Sequence, residues 1–331
     1  MFKASIIGMG SFLPDIILTN RDMEMMVDTT DEWIVTRTGI KERRICPRDM
    51  ASSDLGCMAA KAACKDASIS VQEIDFIIDT TITPDKFFPS TACLIESKLG
   101  IKNIPVFDLS AACSGFIYGL EIARNLIVCG TYKTGLVVAN ECMSRVTDYT
   151  DRSICILLGD GAGAVVVRAS DEEEGVIGSY ISADGSYGDI LNAPAGGSYM
   201  PASFATVEKH LHSMKMEGST LFKIAILSMT EAVNKILGRY GLKKEDVKMV
   251  IPHQANLRII KGVARSLSMP VEKFYINIER YGNMSAACIP IALDEAYRNK
   301  MIEKGDLIIT VAFGGGLTWG ANLIKWTKTK N

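Results

Sequence analysis

Alternating blocks of apolar residues predict an α/β chain in which short buried strands alternate with amphipathic helices. Apolar runs of strand length occur at 5–8, 76–78, 104–109, 134–139, 247–250 and 307–309. Helical periodicity is found at 53–67, 91–99, 116–123 and 221–237, and Asn20 and Thr30 are predicted N-caps of two shorter helices at 21–27 and 31–35. This alternation is typical of right-handed crossovers around mostly parallel sheets that helices cover.

Three blocks of the first half recur in the second half in the same order. Residues 71–78 resemble 243–250, Ser110-Ala111-Ala112-Cys113 returns letter for letter as Ser285-Ala286-Ala287-Cys288, and 136–138 correspond to 307–309. The spacings are 172 (245 − 73), 175 (285 − 110) and 171 (307 − 136) residues. Such a repeat predicts two related α/β halves, 1–170 and 171–331, packed with pseudo-twofold symmetry.

Two glycine-rich motifs suggest nucleotide binding but lack its other requirements. In the first, a strand ending at Gly8 and Gly10 would need a third glycine at position 13, where Leu13 stands before Pro14. The second, 159–163, has no P-loop lysine and precedes a β-branched strand instead of a helix, which predicts a tight turn between strands. A nicotinamide-dependent oxidoreductase is therefore disfavoured. The basic run 37–44 fits either a solvated surface or a phosphate-binding rim.

Composition narrows the classes of partner. The 331 residues are 48% hydrophobic and 22% charged, and the net charge is −2. A charge this close to zero gives no overall electrostatic attraction to nucleic acid or to an anionic membrane. No apolar run approaches the ~18 residues of a membrane span, and the first residues lack a signal-peptide layout. The nine cysteines include no C-x-x-C pair, which argues against a disulfide framework and structural zinc. His210 and His212 are two residues apart and do not share a helix face, which argues against a metal site. We therefore expect a cytoplasmic protein.

One short stretch, 110–114, links the apolar run at 104–109 to the helix that follows it. Its cysteine, Cys113, lies beside the unpaired N–H groups and the positive end of the helix dipole, an environment that favours the nucleophilic thiolate. Unpaired cysteine is also among the residue types most often buried, so a purely structural role explains the same stretch. The local pattern leaves both interpretations open.

Pseudo-twofold symmetry predicts which other segments approach Cys113. Residues at matching strand ends converge near the axis, which brings His253 and Asn283 toward the cysteine. Glycines 314–316, after the last strand, offer backbone N–H groups at close range, as an oxyanion hole requires. A cysteine that takes an acyl group, with neutral histidine and asparagine donors beside it, indicates thioester chemistry.

Longer motifs at 31–40, 111–116, 159–164, 252–258, 281–283 and 313–320 extend this pattern over essentially the whole chain. In these segments the sequence resembles the β-ketoacyl-acyl-carrier-protein synthase III family, the starter condensing enzymes of type II fatty-acid synthesis. The resemblance implies a thiolase-like fold with two duplicated α/β halves in a layered αβαβα arrangement. It also implies a decarboxylative Claisen condensation of an acyl-CoA primer with malonyl-acyl carrier protein, through an acyl-cysteine intermediate and without a further cofactor.

The resemblance assigns roles to individual residues. Cys113, His253 and Asn283 are the expected catalytic residues, and the backbone of Cys113 and Gly316 is the expected oxyanion hole. Coenzyme A binding is expected at Thr29, Trp33, Arg37, Arg152 and Asn256, since an indole face and guanidinium groups suit an adenine ring and phosphates. Acyl carrier protein is expected to dock on Lys223, Arg258, Lys261 and Arg265. The family is homodimeric, and Phe88 is expected to reach the partner's acyl pocket.

Three positions depart from the family pattern. Met284 stands where a threonine is usual, Cys288 where a serine is usual, and Ser266 where a second cation is often found. A bulkier neighbour could move the Asn283 loop or alter the acyl pocket. The alternative to the starter synthase is a related thiolase-like condensing enzyme of a specialised-metabolite pathway.

Overall fold

The computed structural model describes residues 3–171 and 175–329. Its strands are β1 Lys3–Phe12, β2 Ile16–Thr19, β3 Glu42–Ile45, β4 Phe76–Thr80, β5 Val106–Leu109, β6 Thr134–Cys142, β7 Asp160–Ser170, β8 Gly175–Ala183, β9 Leu191–Asn192, β10 Lys215–Met216, β11 Val247–Pro252, β12 Leu307–Gly314 and β13 Thr318–Lys325. Its α-helices are α1 Asn20–Glu24, α2 Asp31–Thr38, α3 Ser52–Asp66, α4 Thr91–Leu99, α5 Gly115–Val128, α6 Arg152–Cys155, α7 Phe204–Glu208, α8 Gly218–Tyr240, α9 Leu257–Ser266, α10 Ile278–Tyr281 and α11 Cys288–Arg298.

Two sheets form the frame. The first has the strand order β1-β7-β6-β4-β5, and the second has the order β11-β12-β13-β8. Strand β4 is parallel to β5 and β6, and β11 is parallel to β12, but β7 and β13 are antiparallel to both of their neighbours. The sheets are therefore mixed, and the expectation of mostly parallel sheets was wrong. A buried apolar run looks the same in either direction, and only a short connection such as that between β12 and β13 forces antiparallel pairing.

The sheets and helices stack in five layers. Helices α3 and α4 cover the outer face of the first sheet, and α8 and α9 cover the outer face of the second. Helices α5 and α11 lie between the sheets and contact strands of both. A single apolar cluster, including Phe116, Ile117 and Ile291, fills this central layer. Each strand–helix junction of the central layer therefore opens next to the other half.

In the structure, the two halves correspond residue by residue at the turns that precede α5 and α11. The turn Ala112–Ser114 precedes α5, and the turn Ser285–Ala287 precedes α11, a spacing of 173 (285 − 112). Ala112 and Ser285, the first residues of these turns, both adopt positive φ, 46° and 49°. The structural counterpart of Cys113 is therefore Ala286, and Cys288 corresponds to Gly115. The letter-for-letter repeat of Ser-Ala-Ala-Cys is displaced by two residues from the structural one.

The glycines of the first motif, and Gly161 and Gly163 of the second, lie inside strands, which corrects the prediction of turns. Gly8 and Gly10 belong to β1, where a Cβ would meet the backbone of α3 at 2.3 Å and 2.4 Å. Gly161 and Gly163 belong to β7, where a Cβ would lie 2.7 Å from Met284 and from Pro290 respectively. These glycines let a helix or a turn pack directly on the strand backbone, a requirement that local sequence does not distinguish from turn formation.

The basic run and the first helix also differ from expectation. Arg43 lies in β3 and is fully buried, and its guanidinium donates to Leu18 O, Asn20 Oδ1 and Ile156 O at 3.2, 2.9 and 2.6 Å. Asn20 is therefore an interior hydrogen-bonding residue, and Thr19 caps α1 in its place. Thr30 caps α2 as predicted, through a 3.1 Å bond from Trp33 N.

Within the described ranges, no helix is long and apolar enough to cross a bilayer. The predicted division between residues 170 and 171 falls at the end of β7, beside residues 172–174, which lie outside the described part of the chain.

Candidate active site

Cys113 lies in the turn between β5 and α5, and contacts across the molecule hold this turn in place. The hydroxyl of Ser114 donates to Thr318 O at 3.0 Å, and that of Thr318 donates to Ala111 O at 2.8 Å. The first sheet therefore supplies the turn, and the start of β13 in the second sheet anchors it. This cross-sheet anchoring fixes the cysteine at the junction between the two halves.

Burial changes the acid–base state of the cysteine. Desolvation raises the pKa of Cys113 to about 12, against a smaller lowering by the Ser285 hydroxyl. Burial thus opposes the stabilisation of thiolate that is expected from the helix dipole. Cys113 is a thiol at neutral pH and must lose a proton when it reacts.

A cavity of about 540 Å³ joins the predicted catalytic residues to most of the predicted substrate-binding ones. Cys113, His253 and Asn283 all line it. So do five residues expected at the substrate sites, namely Trp33, Arg37, Lys223, Asn256 and Arg258. Between them the wall is largely apolar, formed by residues such as Ile156, Leu157, Met216, Leu221 and Phe313. Such a passage suits a long ligand whose reactive end must leave water.

His253 follows the last residue of β11, and its backbone N–H donates to Val311 O of β12 at 2.8 Å. Burial lowers the pKa of His253 to about 3, so the ring is neutral at physiological pH. Its Nδ1 is buried without a hydrogen-bond partner among the described residues. A neutral imidazole carries one N–H group, so the ring can donate one hydrogen bond to a substrate.

Asn283 is held by its backbone and by its side-chain oxygen. Its N–H donates to Leu157 O at 2.8 Å, and its carbonyl accepts from Gly159 N at 3.0 Å. Its Oδ1 accepts from Ser285 N at 2.9 Å. With Oδ1 engaged, the Nδ2 amide group is the part of the side chain that is free to donate into the cavity.

The glycine loop after β12 approaches the cysteine through its backbone. A Cβ on Gly314 would lie 2.6 Å from the backbone nitrogen of Cys113, so any larger residue would displace the turn. Gly316 adopts φ 138°, which favours glycine. In the described part of the chain, neither Cys113 N nor Gly316 N donates to a backbone carbonyl. Cys113 lines the cavity described above, whereas Gly316 does not line it.

Cationic and aromatic groups cluster at the other end of the cavity. The guanidinium carbons of Arg152 and Arg37 lie 5.2 Å and 5.8 Å from the centroid of the Trp33 ring. Asn256 caps α9 through Arg258 N and donates from Nδ2 to Arg37 O at 3.1 Å, which ties α2 to α9. Thr29 and Arg152 do not line the cavity, and Arg152 donates to Asp28 O at 2.7 Å.

Helix α9 presents three exposed cations at helical spacing. Arg258, Lys261 and Arg265 lie on its outer side, and Ile259, Ile260, Val263 and Ala264 face the core. Lys223 on α8 is exposed nearby on the cavity rim, and Arg258 lies over the ring of Phe222 at 5.4 Å. The mouth of the cavity therefore carries a positively charged rim.

A second, smaller cavity also reaches the cysteine. It measures about 220 Å³ and is lined mostly by apolar residues, namely Ile82, Ala112, Cys113, Val146, Leu191, Asn192, Ala193, Met214 and Gly315. Cys113, Leu191 and Met214 line both cavities. Phe88 lines neither cavity of its own chain, and Phe87 and Phe88 are 83% and 84% exposed. Leu191 and Met214 come from a region without clear periodicity, so no sequence signal identifies them.

The two unusual residues after Asn283 pack together away from both cavities. Met284 and Cys288 are buried, and Met284 N donates to Cys288 Sγ at 3.1 Å. Met284 contacts the backbone of Gly161 in β7, and burial raises the pKa of Cys288 to about 12. Neither residue touches the space where a substrate would bind, so both substitutions act on packing beneath the Asn283 loop.

Comparisons with known proteins agree with one another. Residues 107–185 match the family model "3-Oxoacyl-[acyl-carrier-protein (ACP)] synthase III", and residues 237–326 match the model of its C-terminal part. The chain is 53% identical over 325 residues to a beta-ketoacyl-[acyl-carrier-protein] synthase III of Caldanaerobacter subterraneus, covering 98% of each chain.

Two crystal structures are similar to this chain in both sequence and fold. The 3-oxoacyl-[acyl-carrier-protein] synthase III of Aquifex aeolicus is 47% identical with a TM-score of 0.90, over 98% of this chain and 100% of that one. The corresponding enzyme of Pseudomonas aeruginosa is 38% identical with a TM-score of 0.92, over 99% and 100%.

The five-layered duplicated fold, with a buried cysteine at the start of a central helix, is that of a thiolase-like acyltransferase. Within that class, the chain belongs to the β-ketoacyl-acyl-carrier-protein synthase III family of condensing enzymes, which initiate fatty-acid synthesis. Among the described residues, no group of three or more His, Cys, Asp or Glu side chains is arranged to hold a metal ion.

Proposed function

We propose that this chain condenses an acyl-CoA primer with malonyl-acyl carrier protein to a 3-oxoacyl-acyl carrier protein, with loss of carbon dioxide. The observation that carries the proposal is the single cavity that Cys113, His253 and Asn283 share with Trp33 and Arg37. A long thioester lying in this cavity reaches the cysteine with its carbonyl and the arginines with its phosphates. Family membership supports both substrates.

In the first step, Cys113 attacks the thioester carbonyl of the acyl-CoA, and coenzyme A leaves. Negative charge develops on the carbonyl oxygen as the carbon becomes tetrahedral. The backbone N–H groups of Cys113 and Gly316 stabilise that charge, an effect worth on the order of 3 kcal/mol for one such donor. The acyl chain then occupies the smaller cavity, whose lining is mostly apolar.

In the second step, malonyl-acyl carrier protein enters through the same mouth after coenzyme A has left. The ring N–H of His253 and Nδ2 of Asn283 donate to its thioester oxygen, which stabilises the enolate formed as carbon dioxide departs. The enolate carbon attacks the acyl-cysteine and releases the 3-oxoacyl product. A neutral histidine fits this role because it must donate a hydrogen bond without needing protonation.

The ends of the two substrates bind at the rim. We propose that the adenine ring stacks on Trp33 and that Arg37 and Arg152 hold the phosphates, with Thr29 and Asn256 beside them. The acidic carrier protein docks on Lys223 and on the exposed face of α9 formed by Arg258, Lys261 and Arg265. Ser266, where a second cation is often found, leaves this face less positive.

We propose further that the protein acts as a cytoplasmic homodimer of chains that each comprise two halves, 1–170 and 171–331. Two adjacent exposed phenylalanines, Phe87 and Phe88, support an interface at that loop. All nine cysteines are free thiols, as is usual in a reducing compartment. The thioester substrates supply the reactive carbonyl groups, so no further cofactor is required.

The proposal is tested by intact-mass measurement after incubation with acetyl-CoA and with longer straight and branched acyl-CoAs. Wild type should gain one acyl group, Cys113→Ala should gain none, and Cys288→Ala should behave like wild type. The acylated enzyme should then convert malonyl-acyl carrier protein to a 3-oxoacyl product.

Cys288→Ala is the matched control because both thiols are buried and both have pKa values raised to about 12. An adduct that persists in Cys113→Ala, or that disappears only in Cys288→Ala, would overturn the assignment of the nucleophile. Acylation without any condensation product would overturn the proposed reaction.

A further inference from the structure

A fully buried carboxyl group, Glu141, lies close to the reacting cysteine and has no part in the mechanism above. It is the penultimate residue of β6, directly beneath the turn that precedes α11. Its carboxylate accepts from the hydroxyls of Thr81 and Thr83 at 3.1 and 2.7 Å and from Ile82 N at 3.2 Å. Three donors aimed at one carboxylate stabilise its charged form in the interior.

Ser285 lies between Glu141 and Cys113. The turn that it begins packs against both β6 and the turn of Cys113, and its hydroxyl lies close enough to both groups to lower the pKa of each. The same hydroxyl is fully buried and has no hydrogen-bond partner among the described residues. It is therefore near both groups without being fixed to either, so it can turn from one to the other.

We propose that Ser285 and Glu141 form a proton relay in which Glu141 stores the proton of Cys113 while the cysteine carries the acyl group. This inference rests on the proposed function of Cys113 as acyl carrier. In this scheme Ser285 exchanges a proton with the reacting sulfur and is a catalytic residue, and Glu141 is a positioning residue that acts through it.

Protons and electron pairs are conserved over the two steps of the reaction. During acylation the Sγ–H bond breaks as the Sγ–C bond forms, Ser285 Oγ takes that proton, and its own proton passes to Glu141. Coenzyme A leaves with the electron pair of the broken C–S bond and takes a proton from water. During condensation the Sγ–C bond breaks, the electron pair stays on Cys113, and the stored proton returns through Ser285. One proton is thus taken from water per turnover, as the loss of the malonyl carboxylate as carbon dioxide requires.

The acid–base properties of the site agree with this scheme. The thiol of Cys113 needs an acceptor because it stays protonated at neutral pH, and the ring of His253 is a weak base. Burial raises the pKa of Glu141 to about 7, so it can hold a proton and release it near physiological pH. The titratable groups that interact with Glu141 from the elements packed around it are Asp79 on β4, Cys113 and Cys288. Burial favours the neutral form of all three.

The test is the rate of Cys113 acylation by acetyl-CoA, followed by rapid quench and intact mass from pH 5.5 to 9. In wild type the rate should rise through an inflection near pH 7. Glu141→Gln should slow acylation on the order of 100-fold at pH 8 and remove the inflection. Ser285→Ala should do the same. Ala112 adopts the same left-handed backbone in the equivalent turn, so alanine fits there.

Two further variants separate a relay from a structural role. Thr83→Val removes the 2.7 Å donor to Glu141, so the inflection should move to higher pH. Asp294→Asn is the matched control, because Asp294 is another buried carboxyl with a raised pKa, bonded to Ser11 and Arg298 away from Cys113. It should keep the wild-type profile.

Each outcome decides the matter. A wild-type rate and inflection in Glu141→Gln would overturn the relay, as would an unmoved inflection in Thr83→Val should the Glu141 variant fail to fold. If wild type itself gained no acyl group at any pH, the proposed function would fail. Acylation of wild type with unaffected variants would refute the relay alone.

Discussion

The imidazole of His253 is buried as a neutral group, so it couples folding to pH. Its pKa is about 3 in the folded chain and about 6.5 in an unfolded one. Below pH 6.5 the ring therefore binds a proton in the unfolded state but not in the folded state. As a result, the free energy of unfolding falls as the pH drops. From pH 6.5 to 4.5 this loss should reach roughly 2 kcal/mol.

Urea unfolding of wild type and His253→Gln over this pH range measures the effect. The variant retains every carboxylate, so the difference between the two curves isolates the histidine. Wild type should lose stability faster than the variant as the solution is acidified. Parallel curves would show that the ring is protonated in the folded protein.

Arg43 joins three segments through its guanidinium, and burial lowers its pKa to about 10. Arg43→Met would leave Asn20 Oδ1 and two carbonyl oxygens without their donor. We expect a loss of about 3–5 kcal/mol in the free energy of unfolding, since each buried acceptor left unpaired costs about 1–3 kcal/mol, and urea titration measures it. The exposed neighbour Arg48 is the control, and Arg48→Met should change it by less than about 0.5 kcal/mol. Equal effects of the two substitutions would contradict the role of Arg43.

Sequence patterns identified individual residues well where several signals met at one position. Cys113 and His253 follow the apolar strands β5 and β11, Asn283 follows the short helix α10, and the structure places all three on one cavity. Arg43 was missed because its charged neighbours look like a surface, and burial depends on partners far along the chain. Ser285 and Glu141 were missed because neither lies in a pattern that requires a hydroxyl or a carboxyl group.

At the level of elements, the contact between β1 and α3 depends on glycine. Gly10→Ala would bring a Cβ within 2.4 Å of the backbone of Ala63 and 2.5 Å of Ala59 O, so the helix must move. We expect a loss of about 1–3 kcal/mol in the free energy of unfolding. Gly238→Ala in α8 is the control, because nothing lies within 4 Å of its Cβ, and it should gain roughly 0.5–1 kcal/mol. Losses in both variants would refute the packing explanation.

Helix α9 offers a second test at this level, on the proposed docking of acyl carrier protein. Lys261→Glu reverses an exposed charge at the centre of its basic face. The KM for malonyl-acyl carrier protein should rise roughly two- to fivefold at low salt, because a rim charge mainly affects association, and the effect should fade as salt screens it. The control Lys235→Glu, on exposed α8 surface, should leave this KM unchanged. A change in the rate of acylation by acetyl-CoA would instead indicate a disturbed site.

The elements were largely predictable in type and position. Helix α4 has the expected limits, and α3 and α8 were placed within a few residues. The direction of β7 and β13 was not predictable. A strand that is apolar on both faces has the same sequence pattern whether it runs parallel or antiparallel to its neighbours. The glycines of β1 and β7 were taken as turns for a related reason: the helix or turn that needs them comes from elsewhere in the chain.

For the whole molecule, the exposed loop of Phe87 and Phe88 predicts self-association. Phe88→Asp should raise the dimer dissociation constant on the order of 30-fold or more, since a central aromatic residue commonly contributes 2 kcal/mol or more. Sedimentation velocity over a concentration series measures this change. Met25→Asp, at another exposed apolar side chain, is the control. If both variants sediment like wild type, this loop is not the interface.

The two-half architecture was predictable from the repeat, although the register of the repeat was not. Spacings of 171, 172 and 175 residues came from matching letters, whereas backbone geometry relates the central turns by 173. Residue identities change independently in the two halves after a duplication. A left-handed turn before a central helix is preserved, because both sheets pack around it.

The paired turns of the central layer also bear on how such a site could evolve. Two identical copies would place the same side chains on both sides of the pseudo-twofold axis, so a nucleophile in one turn would face a second nucleophile in the other. A single chain that holds both halves is free of that constraint. The turn that begins at residue 112 carries the thiol of Cys113, and the turn that begins at residue 285 carries the hydroxyl of Ser285, so the two related loops bring different chemical groups to the same axis.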